Sequence, residues 1–373
     1  MSASSTDVFI VGGGPAGLAA AIALRQEGLS ATVADCALPP IDKACGEGLM
    51  PDSLEALREL GVTLEHCETG EFQGISFIGP HSAVSADFPH GLGLGIRRTL
   101  LHGVLMQRAA DLGVEMLWGV RVSGIRKDAV LLGDKVCQCK WIVGADGQNS
   151  QVRKWAGLSQ KRDRDRRIAL RQHFAVPPWS RYVEIYWGDE GQAYVTPISP
   201  SEMCVALIST RSWQSFESGI LHFPALAACL AHGVSSSKVR GGVSICSRLR
   251  CVFRENVALI GEASGSVDAV TGDGLALTFR QARVLARAVH QKNLFAYQGE
   301  HDSIGRRPDF MARAMLLMDK SSWIRSRTLR AFEEWPSLFQ RLLSFHVGEN
   351  GFGSLPGVES LLRTSSNHSH TNL

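Results

Sequence analysis

The beginning of the chain alternates between short apolar runs and a segment with helical periodicity. Residues 7–11 form an apolar run of β-prone residues, and residues 31–34 form a second one. Between them, residues 18–25 are strong helix formers, and Gly28 marks the end of that helix. Short buried strands joined by one helix are typical of a parallel βαβ unit. The pattern therefore predicts an α/β fold at the start of the chain.

The middle of the chain has strand patterns that follow one another without helices. Four strand-like runs cover residues 168–176, 182–187, 193–196 and 203–208, with turns at 188–191 and 199–202. Strands in direct succession predict an antiparallel sheet, which a shorter pair near residues 74–78 and 83–88 is expected to join. Polar and aromatic residues on one face should line a pocket, and the candidates are His173, Tyr186, Trp187, Tyr194 and Thr196.

Two further segments have more than one interpretation. The dense charge run at residues 161–167 could attract the phosphates of a nicotinamide cofactor, but its alternating signs favour a solvated loop. Residues 311–347 are helical, and Pro336 is expected to start the last helix. This segment could contact a membrane, yet a helical cap over the two domains is the favoured interpretation. From residue 364 a polar tail is expected to be disordered.

Composition narrows the class of protein. The 373 residues are 45% hydrophobic and 20% charged, which is typical of a soluble globular protein with one large or two interleaved domains. A net charge of +3 is too small to indicate nucleic acid or an anionic membrane as a partner. The nine cysteines, without a secretory signal, are expected to be reduced thiols of a cytoplasmic protein. Only Cys137 and Cys139 are close in sequence, so no metal site is expected.

The first strand runs into a glycine-rich turn that has dinucleotide-binding spacing. Gly12 permits the tight turn, Gly14 lets the backbone approach a pyrophosphate, and Gly17 lets the helix pack closely on the strand. Free N–H groups and the positive dipole end of the helix then face the phosphates. Asp35 ends the second strand, where a carboxylate can bind ribose hydroxyls. Strand, turn, helix, strand and acid together predict dinucleotide binding.

Three later segments indicate which dinucleotide is bound. Residues 96–105 place two arginines before an amphipathic helix. Residues 141–153 form a buried strand that ends at Asp146, followed by a turn and a helix start. Residues 257–275 form a third strand and a glycine-rich turn before another helix. These segments together resemble the FAD-dependent monooxygenase and geranylgeranyl-reductase superfamily, which has the fold of para-hydroxybenzoate hydroxylase.

The resemblance covers residues 7–290 and implies a set of cofactor contacts. Residues 144–147, with Ser150 and Arg153, look like the second family fingerprint, which serves both FAD and the nicotinamide cofactor. The third fingerprint has Glu262 where the family usually has aspartate, and Arg97 is a possible substitute for Arg98 near the FAD ribose. The predicted cofactor-binding residues are Gly12, Gly14, Pro15, Ala16, Gly17, Asp35, Cys45, Gly46, Arg98, Asp146, Gly147, Glu262, Gly272, Asp273 and Gly274.

The loop at residues 43–49 is similar to the Lys-x-Cys-Gly-Gly-Gly-Leu turn of geranylgeranyl-reductase-like proteins, with Glu47 in place of a glycine. Such a loop would lie against the flavin ring. Cys45 could be a redox group or a covalent anchor for the flavin, but a small side chain packed beside the ring is favoured. Gly272 and Gly274 would let the backbone approach the ring, and the following helix would stabilise the negative charge of reduced flavin.

The expected architecture is an α/β, Rossmann-like FAD-binding domain of the GR2 type with an inserted antiparallel β-sheet substrate domain and a C-terminal helical segment. The FAD-binding domain is expected to be discontinuous. The predicted boundaries are residues 1–72, 90–165 and 250–295 for that domain, 73–89 and 166–249 for the substrate domain, 296–363 for the helical segment, and 364–373 for the tail.

The resemblance implies an oxidoreductase that uses FAD, with NAD(P)H as a transient reductant. The first hypothesis is a monooxygenase that hydroxylates a small aromatic or polyketide-like metabolite with molecular oxygen, through a flavin hydroperoxide. The second is reduction of isoprenoid double bonds, although residues 193–197 lack the tryptophan motif of those reductases and that of flavin halogenases. A non-catalytic, redox-responsive FAD-binding module is the third. The weak catalytic candidates are His173, Tyr194 and Cys45, and the sequence gives no oligomeric state.

Overall fold

The computed structural model describes residues 5–158 and 161–348. Helices in this part of the chain are α1 (Pro15–Gln26), α2 (Pro51–Glu59), α3 (Arg98–Asp111), α4 (Gln151–Trp155), α5 (Phe216–Ile220), α6 (Pro224–Cys229), α7 (Gly274–His290), α8 (Leu294–Lys320), α9 (Ser322–Glu334) and α10 (Pro336–His346).

The strands are β1 (Ser5–Val11), β2 (Ala31–Asp35), β3 (Gly48–Leu49), β4 (Gly70–Phe72), β5 (Gly74–Ile78), β6 (Ala83–Asp87), β7 (Gly93–Gly95), β8 (Glu115–Trp118), β9 (Gly124–Arg126), β10 (Ala129–Leu132), β11 (Lys135–Gly144), β12 (Lys161–Ala175), β13 (Tyr182–Trp187), β14 (Gln192–Ser199), β15 (Glu202–Ser209), β16 (Val234–Ser235), β17 (Arg240–Leu249), β18 (Phe253–Arg254), β19 (Val257–Leu259) and β20 (Gly265–Ser266).

The first sheet confirms the α/β start that the sequence predicts. Its strands run in the order β18-β19-β11-β1-β2-β8, with β10 and β9 beside β11. β1 pairs in parallel with both β11 and β2, so that Val8 stands between Trp141 and Ala31. Helices α1 and α7 pack against each other on this sheet. The apolar runs of β1 and α1 are almost completely buried there. Removal of this apolar surface from water stabilises both elements.

The second sheet has the order β20-β17-β12-β15-β14-β13-β5-β6, with β16 beside β12. Its neighbours are antiparallel except for β13 and β5, which pair in parallel. The predicted antiparallel sheet and the joining of the shorter strand pair are therefore confirmed, with this one parallel pairing. A third, small sheet has the strand order β3-β7-β4.

Different helices pack against the two faces of the second sheet. Along β14, Ala193 and Val195 pack with apolar residues of α5 and α6. Tyr194 points to the opposite face, in a cluster with residues of α8, α9 and α10. Since side chains alternate along a strand, each strand contributes to both layers. The expected helical cap therefore covers one face of this sheet.

Two expectations need correction. The sequence favours a solvated loop for the charge run at residues 161–167, but this run belongs to β12 and pairs with β17. Arg167 in this run is fully buried beside the carboxylate of Asp268, and a paired charge can be accommodated inside the protein. The sequence also places Tyr186 on the pocket face, but this residue lies on the opposite face and donates a hydrogen bond to Glu184.

The C-terminal segment is helical through His346, and Pro336 begins α10 as expected. The predicted helical residues 349–363 and the predicted tail at 364–373 lie outside the described residues. None of the described helices combines the length and apolar character needed to span a bilayer.

Candidate active site

A cavity of about 620 Å³ runs from the glycine-rich turn after β1 to the second sheet. The wall contains residues from all three predicted fingerprint segments and from the loop at residues 43–49. The second sheet contributes the opposite end of the wall. One continuous cavity therefore joins the predicted cofactor groove to the predicted substrate pocket.

The turn between β1 and α1 forms one end of this cavity. Gly12 has a φ of 110°, and a Cβ there would lie 2.4 Å from the carbonyl oxygen of Ala145. A Cβ on Gly17 would lie 1.8 Å from the carbonyl oxygen of Gly12, so these positions require glycine for close packing. A Cβ on Gly14, by contrast, would have no protein atom within 4 Å, and no side chain caps α1. The first turn of α1 is thus open toward the cavity.

Hydrogen bonds hold this turn in place. Asp35 Oδ2 accepts from Gly13 N at 2.7 Å, and its Oδ1 accepts from Ala37 N at 2.8 Å. His102 Nε2 lies 2.9 Å from the Gly13 carbonyl oxygen, and burial lowers the pKa of this histidine. Asp35, which the sequence predicts to bind ribose, fixes the turn through these two backbone contacts. His102 is a supporting residue that the sequence analysis did not identify.

The structure distinguishes between the two arginines at the start of α3. Arg97 Nε donates to Glu202 Oε2 at 2.7 Å, so its charge is already paired. Arg98 lines the cavity, and its buried Nε has no partner among the described residues. A buried N–H without an acceptor is costly unless a bound group supplies one. Arg98 therefore fits the sequence prediction of a cofactor-binding arginine, and Arg97 has another role.

The second fingerprint is tied together by its own polar side chains. Asp146 Oδ2 accepts from the backbone N–H groups of Gln151 and Val152, and Ser150 Oγ accepts from Arg153 N at 2.9 Å. The Arg153 guanidinium donates to the carbonyl oxygen of Ala263 at 2.9 Å. Asp146 and Gly147 line the cavity, while Arg153 connects this segment to the third fingerprint.

The third fingerprint and the start of α7 form the other end of the groove. Gly272, with a φ of 73°, and Gly274 have open space where a Cβ would stand. Asp273 is buried between them, and burial raises the pKa of its carboxyl group. Glu262, at the cavity wall, forms an ion pair with Lys43. Gly272, Gly274 and Glu262 thus face the cavity, whereas the Asp273 side chain is turned into the protein.

The wall on the second sheet is mainly apolar. Its cavity-lining residues include Ile75, Val183, Ile185, Ala206 and Ile208, and Met50 and Phe72 from outside this sheet line the cavity as well. Tyr194 also lines the cavity, and its hydroxyl donates to the carbonyl oxygen of Val270 at 2.8 Å. Burial raises the pKa of this phenol, which therefore stays neutral and holds the loop before α7. Trp187, another predicted pocket residue, instead packs against Phe77 in the core.

A cluster of polar side chains lies where the loop at residues 43–49 contacts β12 of the second sheet. Glu47 lies 2.6 Å from His173 Nε2, and Arg171 is next to both. Glu47, His173 and Cys204 bring three potential metal-binding atoms within 4.8 Å of one another. The Arg171 guanidinium, 3.2 Å from His173 Nδ1, opposes a cation at this position. We therefore interpret the cluster as an ion-paired hydrogen-bond network.

Sequence reasoning missed the two buried arginines of β12. Arg167 and Arg171 are buried on the same face of this strand as His173, which the sequence does name as a candidate. Their spacing of two or four residues is the signal that could have shown this, because alternate residues share a face of a strand. Cys45, the remaining catalytic candidate, lines the cavity, and its Sγ accepts from Glu47 N at 3.4 Å.

A histidine beside the third fingerprint should make the free energy of unfolding depend on pH. His301 Nε2 lies 2.9 Å from Ser264 Oγ and 3.1 Å from Gln281 Nε2, and burial lowers its pKa from 6.5 to about 4. The folded state therefore favours neutral His301, whose contribution is complete above pH 6.5 and is lost as the pH falls toward 4. We expect this group to remove up to about 3 kcal/mol of stability over that interval.

Urea unfolding of the wild type and His301→Asn between pH 7 and pH 4 measures this effect. The variant should be less stable at pH 7 and should show a flatter dependence on pH. His290→Asn, at an exposed position at the end of α7, is the matched control. An equal slope for the wild type and His301→Asn would contradict the prediction.

The geometry defines a dinucleotide-binding flavoprotein fold, and comparison with known proteins identifies the family. The profile described as "FAD binding domain" matches residues 5–219, and the chain belongs to this family. It is an FAD-dependent oxidoreductase. The open positions at Gly14, Gly272 and Gly274 and the unpaired Arg98 Nε are all suited to FAD.

Similar proteins include both reductases and monooxygenases. Menaquinone reductase of Mycolicibacterium smegmatis is 27% identical over 320 residues, which cover 75% of each chain. Rifampicin monooxygenase of Rhodococcus hoagii is 33% identical over 166 residues, which cover 41% of this chain and 34% of that protein. Among solved structures, a flavin-dependent brominase has a TM-score of 0.82 at 18% identity and covers 97% of this chain and 98% of its own. This last similarity concerns the fold alone.

Proposed function

We propose that the protein is an NAD(P)H-dependent FAD monooxygenase that hydroxylates a small, largely apolar aromatic or polyketide-like molecule. The observation that carries this proposal is the continuity of the apolar wall on the second sheet with the groove suited to FAD. An apolar wall favours a substrate that loses water readily on binding. The rifampicin monooxygenase similarity supports an oxygenase reaction.

Bound FAD would supply the redox chemistry, namely acceptance of hydride from NADH or NADPH and transfer of electrons to oxygen. The residues of this chain would bind and orient the reactants. The first turn of α1 and Arg98 are suited to the pyrophosphate and ribose region. Tyr194 holds the loop before α7, and the apolar residues of β5, β13 and β15 exclude water from the reaction.

A second candidate is reduction of a carbon–carbon double bond of an isoprenoid. Two observations favour it, the similarity of residues 43–49 to the reductase turn and the alignment with menaquinone reductase over three quarters of both chains. The apolar residues that line the cavity on the second sheet would also suit an isoprenoid chain. The two candidates share the cofactor and the reductant but differ in what happens to the electrons.

The fate of the electrons provides the test. The holoenzyme is reduced with NADPH or NADH without oxygen, and the flavin absorbance is then followed after addition of air. A monooxygenase should reoxidise promptly and should incorporate ¹⁸O from ¹⁸O₂ into an aromatic substrate from a panel. Reduced flavin that persists in air until an isoprenoid quinone is added would favour the reductase. If neither NADPH nor NADH bleaches the flavin, NAD(P)H dependence is contradicted. Gly14→Val, which is expected to lack FAD, is the control.

A further inference from the structure

Glu47 occupies an unusual position in the cavity wall. Its φ of 60° lies in the left-handed region that favours glycine, and its side chain is only 1% exposed. A carboxylate in a buried, strained position persists only when its surroundings stabilise it, and such positions cluster at functional sites. The contacts of Glu47 therefore indicate what this residue does.

A chain of hydrogen bonds leads from Glu47 toward the surface. Glu47 Oε2 lies 2.6 Å from His173 Nε2, and His173 Nδ1 lies 2.9 Å from Ser237 Oγ. His173 is buried, whereas Ser237 is partly exposed and lies between the exposed residues Ser236 and Lys238. The three side chains thus connect the cavity wall with solvent.

The donors along this chain have a defined direction. Arg171 Nη1 lies 3.2 Å from His173 Nδ1 and 3.5 Å from His173 Nε2, so the guanidinium lies against the ring and does not decide which nitrogen carries the proton. A carboxylate oxygen can only accept a hydrogen bond, so the 2.6 Å contact with Glu47 Oε2 places the proton of neutral His173 on Nε2. Ser237 Oγ accepts from His173 N at 3.0 Å, which leaves the Ser237 hydroxyl hydrogen to point at Nδ1. Each donor therefore points toward the cavity.

We propose that Glu47 is the acid–base group of the cavity and that Ser237 and His173 form the path that renews its proton. This inference rests on the proposed function, because both candidate reactions move protons in an apolar cavity. The Glu47 carboxylate takes the Nε2 proton of His173 and donates it to a reacting group. His173 Nδ1 takes the proton of the Ser237 hydroxyl, and Ser237 recovers one from water. The net result is transfer of one proton from solvent to the cavity.

The surrounding charges suit this role. Arg171 Nη2 is 3.7 Å from Glu47 Oε1, and the Arg98 backbone N–H donates to Oε1 at 2.9 Å, so both stabilise the carboxylate after it loses a proton. Asp42 pairs with Arg171, and Arg240 in turn pairs with Asp42. The neighbouring acid on β15 is Glu202, which Arg97 and Ser236 bind, and burial keeps the pKa of Cys204 well above its usual range. Glu202 is therefore already paired with other residues, and the Cys204 thiol stays neutral, so neither competes with Glu47 as the acid–base group.

Nuclear magnetic resonance of the ¹⁵N-histidine-labelled holoenzyme tests the path without a substrate. The His173 signal is assigned by its loss in His173→Gln. We expect a neutral ring protonated on Nε2, with solvent exchange of this proton slowed at least about tenfold in Ser237→Ala. Ser236→Ala, next to the path, should exchange as the wild type does. A proton on Nδ1, or an unchanged exchange rate in Ser237→Ala, would overturn the path.

Steady-state oxidation of NADPH in air tests the cavity end. Glu47→Gln should lower kcat about 100-fold with the KM for NADPH within about twofold, and formate should restore activity in Glu47→Ala. Glu55→Gln, at an exposed position on α2, should leave kcat unchanged. Unchanged kcat in Glu47→Gln, or loss of its bound FAD, would refute the acid–base role. A wild type that oxidises neither NADPH nor NADH would contradict the proposed function, while the exchange rates would still decide the path.

Discussion

Valine in place of Gly14 should abolish FAD binding and leave the fold intact. Gly14 has a φ of −69° and a ψ of 179°, an extended conformation that any residue adopts. A side chain there meets no protein atom within 4 Å, so it would extend into the cavity beside the open first turn of α1. The added methyl groups would occupy the space we assign to the pyrophosphate. We expect the affinity for FAD to fall at least about 100-fold, or about 3 kcal/mol.

Equilibrium dialysis with FAD measures the affinity, and thermal unfolding of the FAD-free proteins measures the fold. Gly103→Val is the matched control, because Gly103 also has open space at its Cβ but does not line the cavity. It should bind FAD as the wild type does. Retained flavin in Gly14→Val would contradict the proposed position of the pyrophosphate, whereas Gly17→Val is expected to disrupt the turn itself.

Local sequence signals were sufficient for the first sheet. The β1–turn–α1 unit depends on contacts between residues close in sequence, and Gly12 and Gly17 are required by close backbone approaches at this turn. The same holds for Pro336, which begins α10 because proline is suited to the first helical turn. Periodicity also identified the strands of the second sheet, because each has apolar residues at alternate positions.

Contacts between distant segments were beyond the reach of these signals. The choice between Arg97 and Arg98 depends on Glu202, which is more than 100 residues away in sequence. The burial of Arg167 depends in the same way on Asp268. The prediction for Tyr186 was wrong about the face, although the alternation of β13 would have separated it from Ile185 and Trp187. The sequence therefore predicted the local conformation of the site residues better than it predicted which distant residues they contact.

Methionine in place of Arg167 should destabilise the protein by about 3–5 kcal/mol. Arg167 is fully buried, and its Nη1 donates to Asp268 Oδ1 at 3.0 Å, while Nη2 lies 3.5 Å from Asp319 Oδ2. Methionine fills similar space but leaves the Asp268 carboxylate, which is 0% exposed, without its partner. Asp268 also accepts from Val270 N at 3.0 Å in the loop before α7, so FAD binding should weaken as well. Urea unfolding and FAD titration measure the two effects.

Two further variants separate loss of the ion pair from a general packing defect. Adding Asp268→Asn to Arg167→Met removes the unpaired charge, so the double variant should be less destabilised than the sum of the single changes. Arg211→Met removes a partner of Glu190 at 3.2 Å, but the Arg211 side chain is 75% exposed. Solvent screens such a pair, and we expect a loss below about 1 kcal/mol. Equal losses in Arg167→Met and Arg211→Met would show that burial of the pair does not set its contribution.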